Sequence, residues 1–315
     1  MTIQQLLKTA PVTTLLLVSV IGLFIMQVLT GVDANNPSTD ALLNWGANAL
    51  PLTMTDDPWR LVSSAFLHIG LMHLLFNGFA MYFFGQIAEP MFGSAKFLAL
   101  FLLAAIGGNL LNNYVTWQGM LEGTGQPGLS AGASGGIMGI GAALLIAALF
   151  KISVNGMVLN LRSLIFIMGI NLVYGFAVPG IDNAGHIGGA VTGLVIALAF
   201  AIAYRQRMAA MLRDVAIHQN HYQNNDQNVY PNNYQTNDID HLMGSNTYSD
   251  NDNYTNSEIT INAIHNRVIE QKTPAKPAFI WQLLPWLMIL LISIGFVWWW
   301  QDIHQQILEV LKTIE

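Results

Sequence analysis

Residues 132–139 have the sequence Gly-Ala-Ser-Gly-Gly-Ile-Met-Gly and stand at the start of a long apolar run. Their glycines recur at a spacing of four, as at Gly135 and Gly139, so in a helix they share one face. Small residues at this spacing let a second membrane helix approach closely. One interpretation of the segment is therefore a packing face. The other is that Ser134 is a nucleophile at a helix N-terminus, where free amide groups can stabilise an oxyanion.

A second glycine stripe lies further along the chain. Gly185, Gly189 and Gly193 recur every four residues, and His186 follows the first of them. If the two stripes pack against each other, His186 comes close to Ser134. Because an imidazole beside a serine hydroxyl can act as its general base, the two segments predict both a close helix pair and a Ser-His pair.

A third polar group lies in an apolar run, where His73 and Asn77 are four residues apart. Residues at this spacing share a helix face, so both side chains can donate toward one point, as an oxyanion hole requires. His68 is five residues before His73 and would be rotated by about 140° in a continuous helix. We therefore expect a structural role for His68.

The composition places these segments in a membrane protein. Hydrophobic residues make up 53% of the 315 residues and charged residues only 10%, against about 25% charged in an ordinary soluble domain. Runs of about twenty apolar residues are long enough to cross a bilayer as helices. The sequence predicts an all-α polytopic membrane protein with helices at 12–32, 67–88, 95–117, 134–151, 157–177, 184–204 and 279–300.

Several functional classes are excluded or disfavoured. The net charge of −6 and the lack of a basic cluster argue against nucleic acid as a partner, and the absence of cysteine excludes disulfides and a thiol nucleophile. No H-E-x-x-H motif occurs and no carboxylate stands beside His73, which disfavours a zinc protease. A channel or transporter would need paired charges or broken helices in the membrane, and few are present. We expect no metal and no cofactor.

Basic residues near helix ends predict the orientation, because they stay on the cytoplasmic side. With the N-terminus cytoplasmic, the opposite side holds only Arg60 and Lys312, and the tail after residue 300 is external. The residues that then share the cytoplasmic side are Lys8, Lys96, Lys151, Arg205, Arg207 and Arg213.

The predicted organisation has three parts. Residues 1–204 form a six-helix domain, residues 205–277 form an Asn-rich cytoplasmic linker too polar to repay the entropy of ordering, and residues 278–315 form a seventh membrane helix with a short external tail. The segment 33–64 after the first helix is too long for a simple connection. Because it also contains apolar residues, it is either a loop lying partly in the membrane interface or a small folded lobe.

These motifs together resemble the rhomboid family of intramembrane serine proteases over roughly residues 10–205. Each motif alone is weak, but their order on the predicted helices is specific. The matching residues are Trp59-Arg60, His68-x4-His73-x3-Asn77, Gly85-x3-Glu89-x3-Gly93-Ser94, Gly132-Ala-Ser134-Gly135 and Gly185-His186-x2-Gly189-x3-Gly193.

The resemblance implies a rhomboid-like six-helix bundle, here with a seventh helix added at its C-terminal side. It implies a serine endopeptidase with Ser134 as nucleophile, His186 as base, and an oxyanion hole formed by His73, Asn77 and the Ser134 amide. The substrates would be transmembrane proteins, and the chain would lie in the lipid bilayer of a bacterial inner membrane. An inactive relative that binds transmembrane helices without cleaving them is the alternative, although such relatives lack the serine or the histidine.

Three further residues have weaker signals. Met138 stands where the family often has an aromatic residue against the catalytic imidazole, and its sulfur can still contact that ring. Glu89 is either part of a proton pathway or a structural group that accepts from loop amides, and its position between Gly85 and Gly93 favours the second. For Arg162 we expect a side chain that extends to the cytoplasmic interface.

Overall fold

The computed structural model describes residues 3–126, 128–152, 159–177, 182–229 and 278–314. Two units are distinguished, one comprising Met1–Tyr204 with Gln282–Glu315 and the other Arg205–Trp281. The elements in chain order are α1 (Ile3–Thr9), α2 (Pro11–Leu29), α3 (Thr39–Asn44), β1 (Asn48–Ala49), α4 (Leu50–Thr53), α5 (Arg60–Ser63) with a following 3-10 turn (Ser64–Phe66), α6 (Leu71–Phe92), α7 (Ser94–Leu121), β2 (Leu129–Ser130), α8 (Ser134–Leu149), α9 (Leu161–Ala177), α10 (Asn183–Val229) and α11 (Ile280–Ile314).

Every one of the seven predicted membrane segments contains a helix. Among the residues that the structure describes, five helices are long and apolar enough to cross a membrane, namely α2, α6, α7, the Asn183–Arg213 part of α10, and α11 over Ile280–Thr313. The other two are shorter, with 16 residues in α8 and 17 in α9. The chain is an all-α polytopic membrane protein, as its composition predicts.

Several helix ends differ from the sequence expectation by four or more residues, and three of these differences concern the candidate site or the C-terminal part of the chain. α6 begins at Leu71 instead of residue 67, because Gly70 has a φ of 96° that does not continue a helix. α10 continues to Val229, so residues 205–229 are helical where the sequence predicts the start of a disordered linker. The remainder of that segment, 230–277, lies outside the described residues. α11 extends beyond residue 300 to Ile314, where we expected a short tail. The three-part division itself stays a prediction.

The main core lies among α6, α7, α8 and the first half of α10. α8 contributes most of its length, since eleven of its sixteen residues are buried. Large side chains from all four helices meet there, and none of them is more than 7% exposed: Met81, Phe84, Leu100, Phe101, Ile140, Leu144, Ile196 and Phe200. This core holds the helix that begins at Ser134 inside the bundle.

A buried carboxylate stabilises the start of α2. Glu89 is 1% exposed and accepts hydrogen bonds from the amides of Val12 (2.9 Å) and Thr13 (2.7 Å) and from the hydroxyls of Thr13 (2.8 Å) and Ser94 (2.6 Å). The first amides of a helix have no partner within the helix, and a negative charge there is favoured by the helix dipole. Glu89 therefore has the structural geometry that we favoured, with helix amides in place of loop amides.

The residues between α2 and α6, 30–70, form a folded unit that we call the α2–α6 lobe. It contains α3, β1, α4 and α5, and its apolar residues Leu42 and Leu50 are each 2% exposed. Strand β1 pairs in antiparallel fashion with β2, which leads into α8. The structure shows a small folded lobe in this segment, and its position in the membrane interface stays a prediction.

Arg60 holds the lobe together from inside. Its Nη1 donates to the carbonyl oxygens of Leu43 (2.7 Å) and Ala47 (3.1 Å), and its Nε forms an ion pair with Asp57 at 3.0 Å. Hydrogen bonds from Arg60 and Trp59 lower the pKa of Asp57 from its ordinary value, because both stabilise the charged carboxylate. One planar guanidinium thus connects α3, β1 and the turn before α5.

The last helix packs on the lobe and on α7. Trp300 Nε1 donates to Thr53 O (2.9 Å), His304 Nδ1 lies 2.7 Å from Met54 O, and Trp117 Nε1 of α7 donates to Gln306 Oε1 (3.1 Å). Most of the strongly apolar part of α11 is exposed, with only 6% of that window buried. The C-terminal half of α11 therefore makes much of its contact with the bundle.

We predict that Ile303→Ala lowers the free energy of unfolding by about 2 to 4 kcal/mol, the usual range for truncating a buried isoleucine. Ile303 is fully buried in a cluster with Leu50, Met54 and Trp117, so its loss leaves a cavity between α11 and the lobe. Denaturant or thermal unfolding of the purified protein in detergent measures the change.

Leu290→Ala is the matched control, because Leu290 is on the same helix but 54% exposed. It should change the free energy of unfolding by no more than about 0.5 kcal/mol. Equal losses from the two variants would contradict the assignment of the stabilising contact to the C-terminal half of α11.

Candidate active site

The segment before Ser134 is positioned by the lobe. β2 pairs with β1 so that Ser130 is opposite Asn48, and two residues later the Gly132 amide donates to Ser64 O at 2.9 Å. α8 then starts at Ser134, which is partly exposed. The serine therefore stands at the first residue of a buried helix, as the glycine-rich motif predicts.

Close packing of α8 on α10 determines where His186 lies. A Cβ atom added to Gly189 would collide with Gly135 O, and one added to Gly193 would collide with Gly139 O. One added to Gly139 would lie 2.9 Å from Gly189 O. The predicted contact between the two glycine stripes is confirmed, because only glycines permit this approach of the two backbones.

A second glycine contact, with α7, was not anticipated from the sequence. A Cβ on Gly108 would lie 2.5 Å from Gly185 O, and one on Gly188 would lie 2.6 Å from Gly107 O. α10 is therefore packed closely against both α7 and α8. The Gly107-Gly108 pair was a detectable signal, since adjacent glycines are unusual in the middle of a buried helix.

The residues next to Ser134 and His186 lie close together. Gly185, next to His186, has its carbonyl oxygen 3.4 Å from the Cβ position of Gly135, next to Ser134. Within the described part of the chain, the Ser134 hydroxyl and the His186 ring make no hydrogen bond, and the buried Nδ1 of His186 has no partner. Catalytic hydrogen bonds often form only in the substrate complex.

Ser134 lines a small cavity between α7, α8 and α10, with about 20 Å³ of space for water-sized groups. The groups around it are mostly small, so backbone amides and the serine hydroxyl are accessible there. Its lining includes Gly132, Ser134, Gly135 and Gly185 together with Gly108 and Asn109 of α7. Space of this size holds about one water molecule.

The His73 ring lies against the backbone just before Ser134. A Cβ on Gly132 would be 2.8 Å from His73 Nε2, and Gly132 has a φ of +146°, so the position is suited to glycine on two grounds. Asn77 is 7% exposed and its amide donates to His73 O at 3.0 Å. Because a carboxamide has two N–H donors, Asn77 retains one for another acceptor.

The position of His68 differs from the sequence expectation. Its ring contacts that of His73 edge-on, with the centroids 5.2 Å apart, although a continuous helix would have rotated the two apart. The physical reason is that α6 starts only at Leu71, so His68 precedes the helix. The rotation expected between two residues of one continuous helix therefore does not apply to His68 and His73. His68 is 1% exposed and neither ring nitrogen has a partner among the described residues.

Three asparagines of α7 form a polar face that the sequence analysis did not identify. Asn109 Nδ2 donates to Leu61 O and to Ser64 Oγ, both at 2.8 Å, and Asn113 Nδ2 donates to Asn48 Oδ1 at 2.9 Å. Their spacing at 109, 112 and 113 places them on one helix face. These asparagines connect the middle of the bundle to the α2–α6 lobe.

The remaining expectations from the sequence concern Met138, Arg162 and the absence of a metal or cofactor. Met138 is buried in the main core, and its sulfur contact with His186 stays a prediction. Arg162 is exposed at the start of α9. Within the ranges that the structure describes, no three His, Asp or Glu side chains lie together as a metal site would need, and the absence of a cofactor stays a prediction.

The six-helix bundle thus contains a serine at the N-terminus of one helix and a histidine on a second helix that packs against it through glycines. The protein is therefore a polytopic membrane protein with a candidate Ser-His site. The sequence of residues 55–203 matches the family model of the rhomboid domain. Rhomboid protease AarA of Providencia stuartii is 31% identical over 210 residues, covering 61% of this chain and 73% of AarA. The chain belongs to the rhomboid family.

Two further relatives are similar over a smaller share of their length. Rhomboid protease GluP of Bacillus subtilis (strain 168) is 34% identical over 197 residues, which is 61% of this chain and 37% of GluP. RHOMBOID-like protein 6, mitochondrial, of Arabidopsis thaliana is 32% identical over 162 residues, covering 51% of this chain and 50% of that protein. The chain thus covers half or less of the length of these two relatives.

We predict that Gly189→Ala destabilises the protein by about 1 to 3 kcal/mol, because the added methyl group must displace the α8 backbone. Gly22→Ala in α2 is the control, since a Cβ there meets nothing within 4 Å. Wild-type stability of Gly189→Ala would show that the α8–α10 interface is less tightly packed than described.

Proposed function

We propose that the chain is an intramembrane serine endopeptidase that cleaves peptide bonds in or near transmembrane segments of membrane proteins. The observation that carries the proposal is the glycine contact between α8 and α10, in which the neighbours of the two proposed catalytic residues, Gly185 and Gly135, come close together. Membership of a family that includes named rhomboid proteases supports the same reaction class.

In the proposed mechanism Ser134 is the nucleophile and His186 is its general base. The Ser134 oxygen attacks the carbonyl carbon of the scissile bond while His186 accepts the hydroxyl proton. Collapse of the tetrahedral intermediate breaks the C–N bond, and His186 returns the proton to the leaving amine. Water then hydrolyses the acyl-enzyme by the same steps, which regenerates the serine.

The oxyanion of this intermediate needs donors close to Ser134. We assign these to the His73 side chain, the Asn77 amide and the Ser134 backbone N–H, which is one of the free amides at the start of α8. The contact of His73 Nε2 with the Gly132 position supports its part, and the buried amide of Asn77 supports the other. Fixed donors of this kind stabilise charge that develops in the transition state.

The length of α8 is relevant to how water reaches the site. Its 16 residues span about 24 Å at 1.5 Å per residue, which is less than a hydrocarbon core of about 30 Å. A helix of this length within a membrane has one end below the surface. We propose that Ser134 is at that end, in a water-filled cleft that faces the external side while the N-terminus is cytoplasmic.

The substrates in this proposal are transmembrane helices that unwind locally near small or helix-destabilising residues. A strand-like peptide is needed because a helical backbone hides its carbonyl carbons from attack. The proposed location is a bacterial inner membrane. The alternative of an inactive rhomboid-like binding protein predicts that transmembrane helices bind without being cleaved, and the presence of both Ser134 and His186 argues against it.

The dyad is tested by Ser134→Ala, His186→Ala and the double variant. In a coupled pair each single change should remove nearly all of the rate, and the double change should add little. Cleavage of a model transmembrane substrate by purified protein in detergent measures this. Thermal unfolding of each variant serves as the control for folding.

Full cleavage by a folded Ser134→Ala or His186→Ala variant would exclude the dyad. Binding of a transmembrane helix without cleavage by the wild type would support the inactive alternative. Inhibition by a chelator, with no effect of serine-directed reagents, would instead favour a metal-dependent reaction.

The oxyanion assignment predicts that Asn77→Ala lowers kcat by up to about 100-fold, because one of the fixed donors to the developing charge is lost. KM should change little, since the donor acts mainly in the transition state. Phe76→Ala is the control, because Phe76 is next in the chain but 64% exposed. A raised KM with unchanged kcat would assign Asn77 to substrate positioning instead.

A further inference from the structure

Asp182 accepts three hydrogen bonds around the start of α10. Its Oδ1 accepts from the Gly185 amide at 2.7 Å and from Asn112 Nδ2 of α7 at 2.8 Å. Its backbone oxygen accepts from the His186 amide at 3.0 Å. The side chain therefore caps the helix that carries His186 and also joins that helix end to α7.

The surroundings of Gly185 leave little freedom for this helix end. A Cβ on Gly185 would collide with Asp182 Oδ2, and a Cβ on Gly108 would lie 2.5 Å from Gly185 O. The carbonyl oxygen of Gly185 also lies 3.4 Å from the Cβ position of Gly135. The backbone immediately before His186 is thus confined by a carboxylate, by α7 and by α8.

Asn112 links the same carboxylate to the segment that leads to Ser134. Its Oδ1 lies 3.5 Å from Asn48 Nδ2, and the same Asn48 amide donates to Ser130 Oγ at 2.9 Å. Ser130 ends β2, four residues before Ser134. A continuous polar path therefore runs between the strand before the serine and the turn before the histidine.

We propose that Asp182 and Asn112 are positioning residues, which fix the start of α10 and thereby hold the His186 ring in register with Ser134. The proposal rests on the proposed function, since it concerns the geometry of that dyad. Asp182 acts through the backbone in this account and does not touch the substrate.

The observed contacts argue against a different role, that of a third member of a catalytic triad. In a triad the carboxylate accepts from the imidazole Nδ1. Here Asp182 Oδ1 is bonded to Gly185 and Asn112, and the Nδ1 of His186 has no partner among the described residues. The positioning role therefore requires a hydrogen-bond acceptor at residue 182 and does not require a charge.

The test compares Asp182→Ala, Asp182→Asn and Asn112→Ala in the full-length protein, with kcat and KM measured separately on a model transmembrane substrate. Asp182→Ala should lower kcat by about 10- to 100-fold with KM nearly unchanged, because a small displacement of a catalytic group is costly. Asp182→Asn should recover most of kcat, since its side-chain oxygen can still accept both bonds. Combining Asp182→Ala with Asn112→Ala should cost little more than Asp182→Ala alone.

Asn113→Ala is the matched control. Asn113 is also an α7 asparagine with a bond to Asn48, but it makes no hydrogen bond to Asp182. This variant should lower thermal stability at least as much as Asn112→Ala while leaving kcat within about twofold, because the α10 start is untouched. Equal losses of kcat in the Asn112 and Asn113 variants would overturn the proposal.

Hydrogen exchange of the amides in residues 183–190 gives a readout that does not depend on activity. Exchange should be faster in Asp182→Ala and Asn112→Ala than in the wild type, and unchanged in Asn113→Ala. Wild-type kcat in a folded Asp182→Ala, or an Asp182→Asn variant as impaired as Asp182→Ala, would overturn the positioning role. Cleavage by Ser134→Ala in the same series would identify a failure of the proposed function instead.

Discussion

The rest of the site depends on the close contact between α10 and α8, where the two backbones meet without side chains between them. In a bilayer the hydrophobic effect does not drive helices together, so close van der Waals packing of small residues carries more of the association. Gly189 and Gly193 meet the carbonyls of Gly135 and Gly139 along two turns, and Gly185 continues the line toward the N-terminal end of both helices. In the proposed site, the relative position of Ser134 and His186 follows from this register.

Polar groups inside the bundle serve the same geometry, since each one needs a partner where water is scarce. Glu89 uses its carboxylate for the first amides of α2, Arg60 uses its guanidinium for carbonyls of the lobe, and Asp182 uses its carboxylate for α10 and α7. These hydrogen bonds fix the helix ends, which the glycine contacts alone would not hold. α11 adds a further restraint on the lobe from its far side.

The sequence predicted the parts of this structure that depend on local pattern. The predicted membrane helices and the glycine register are visible as hydropathy and spacing. The contact of His68 with His73 was mispredicted because it depends on where α6 starts, which Gly70 decides. The asparagines of α7 were not identified from the sequence, because the role of a polar residue in an apolar helix depends on its hydrogen-bond partners. Here those partners include Asn48 and Asp182, which are distant in the sequence. The continuation of α10 beyond Arg205 is likewise not encoded in hydropathy.

The central claim is that the fold makes one serine reactive by placing one histidine beside it. The direct measurement is covalent labelling of the purified protein with a serine-directed fluorophosphonate, with the adduct located by mass spectrometry. The account predicts modification at Ser134, and a large loss of that modification in His186→Ala although the protein remains folded. Modification of another serine, or equal labelling of Ser134 with and without the histidine, would contradict it.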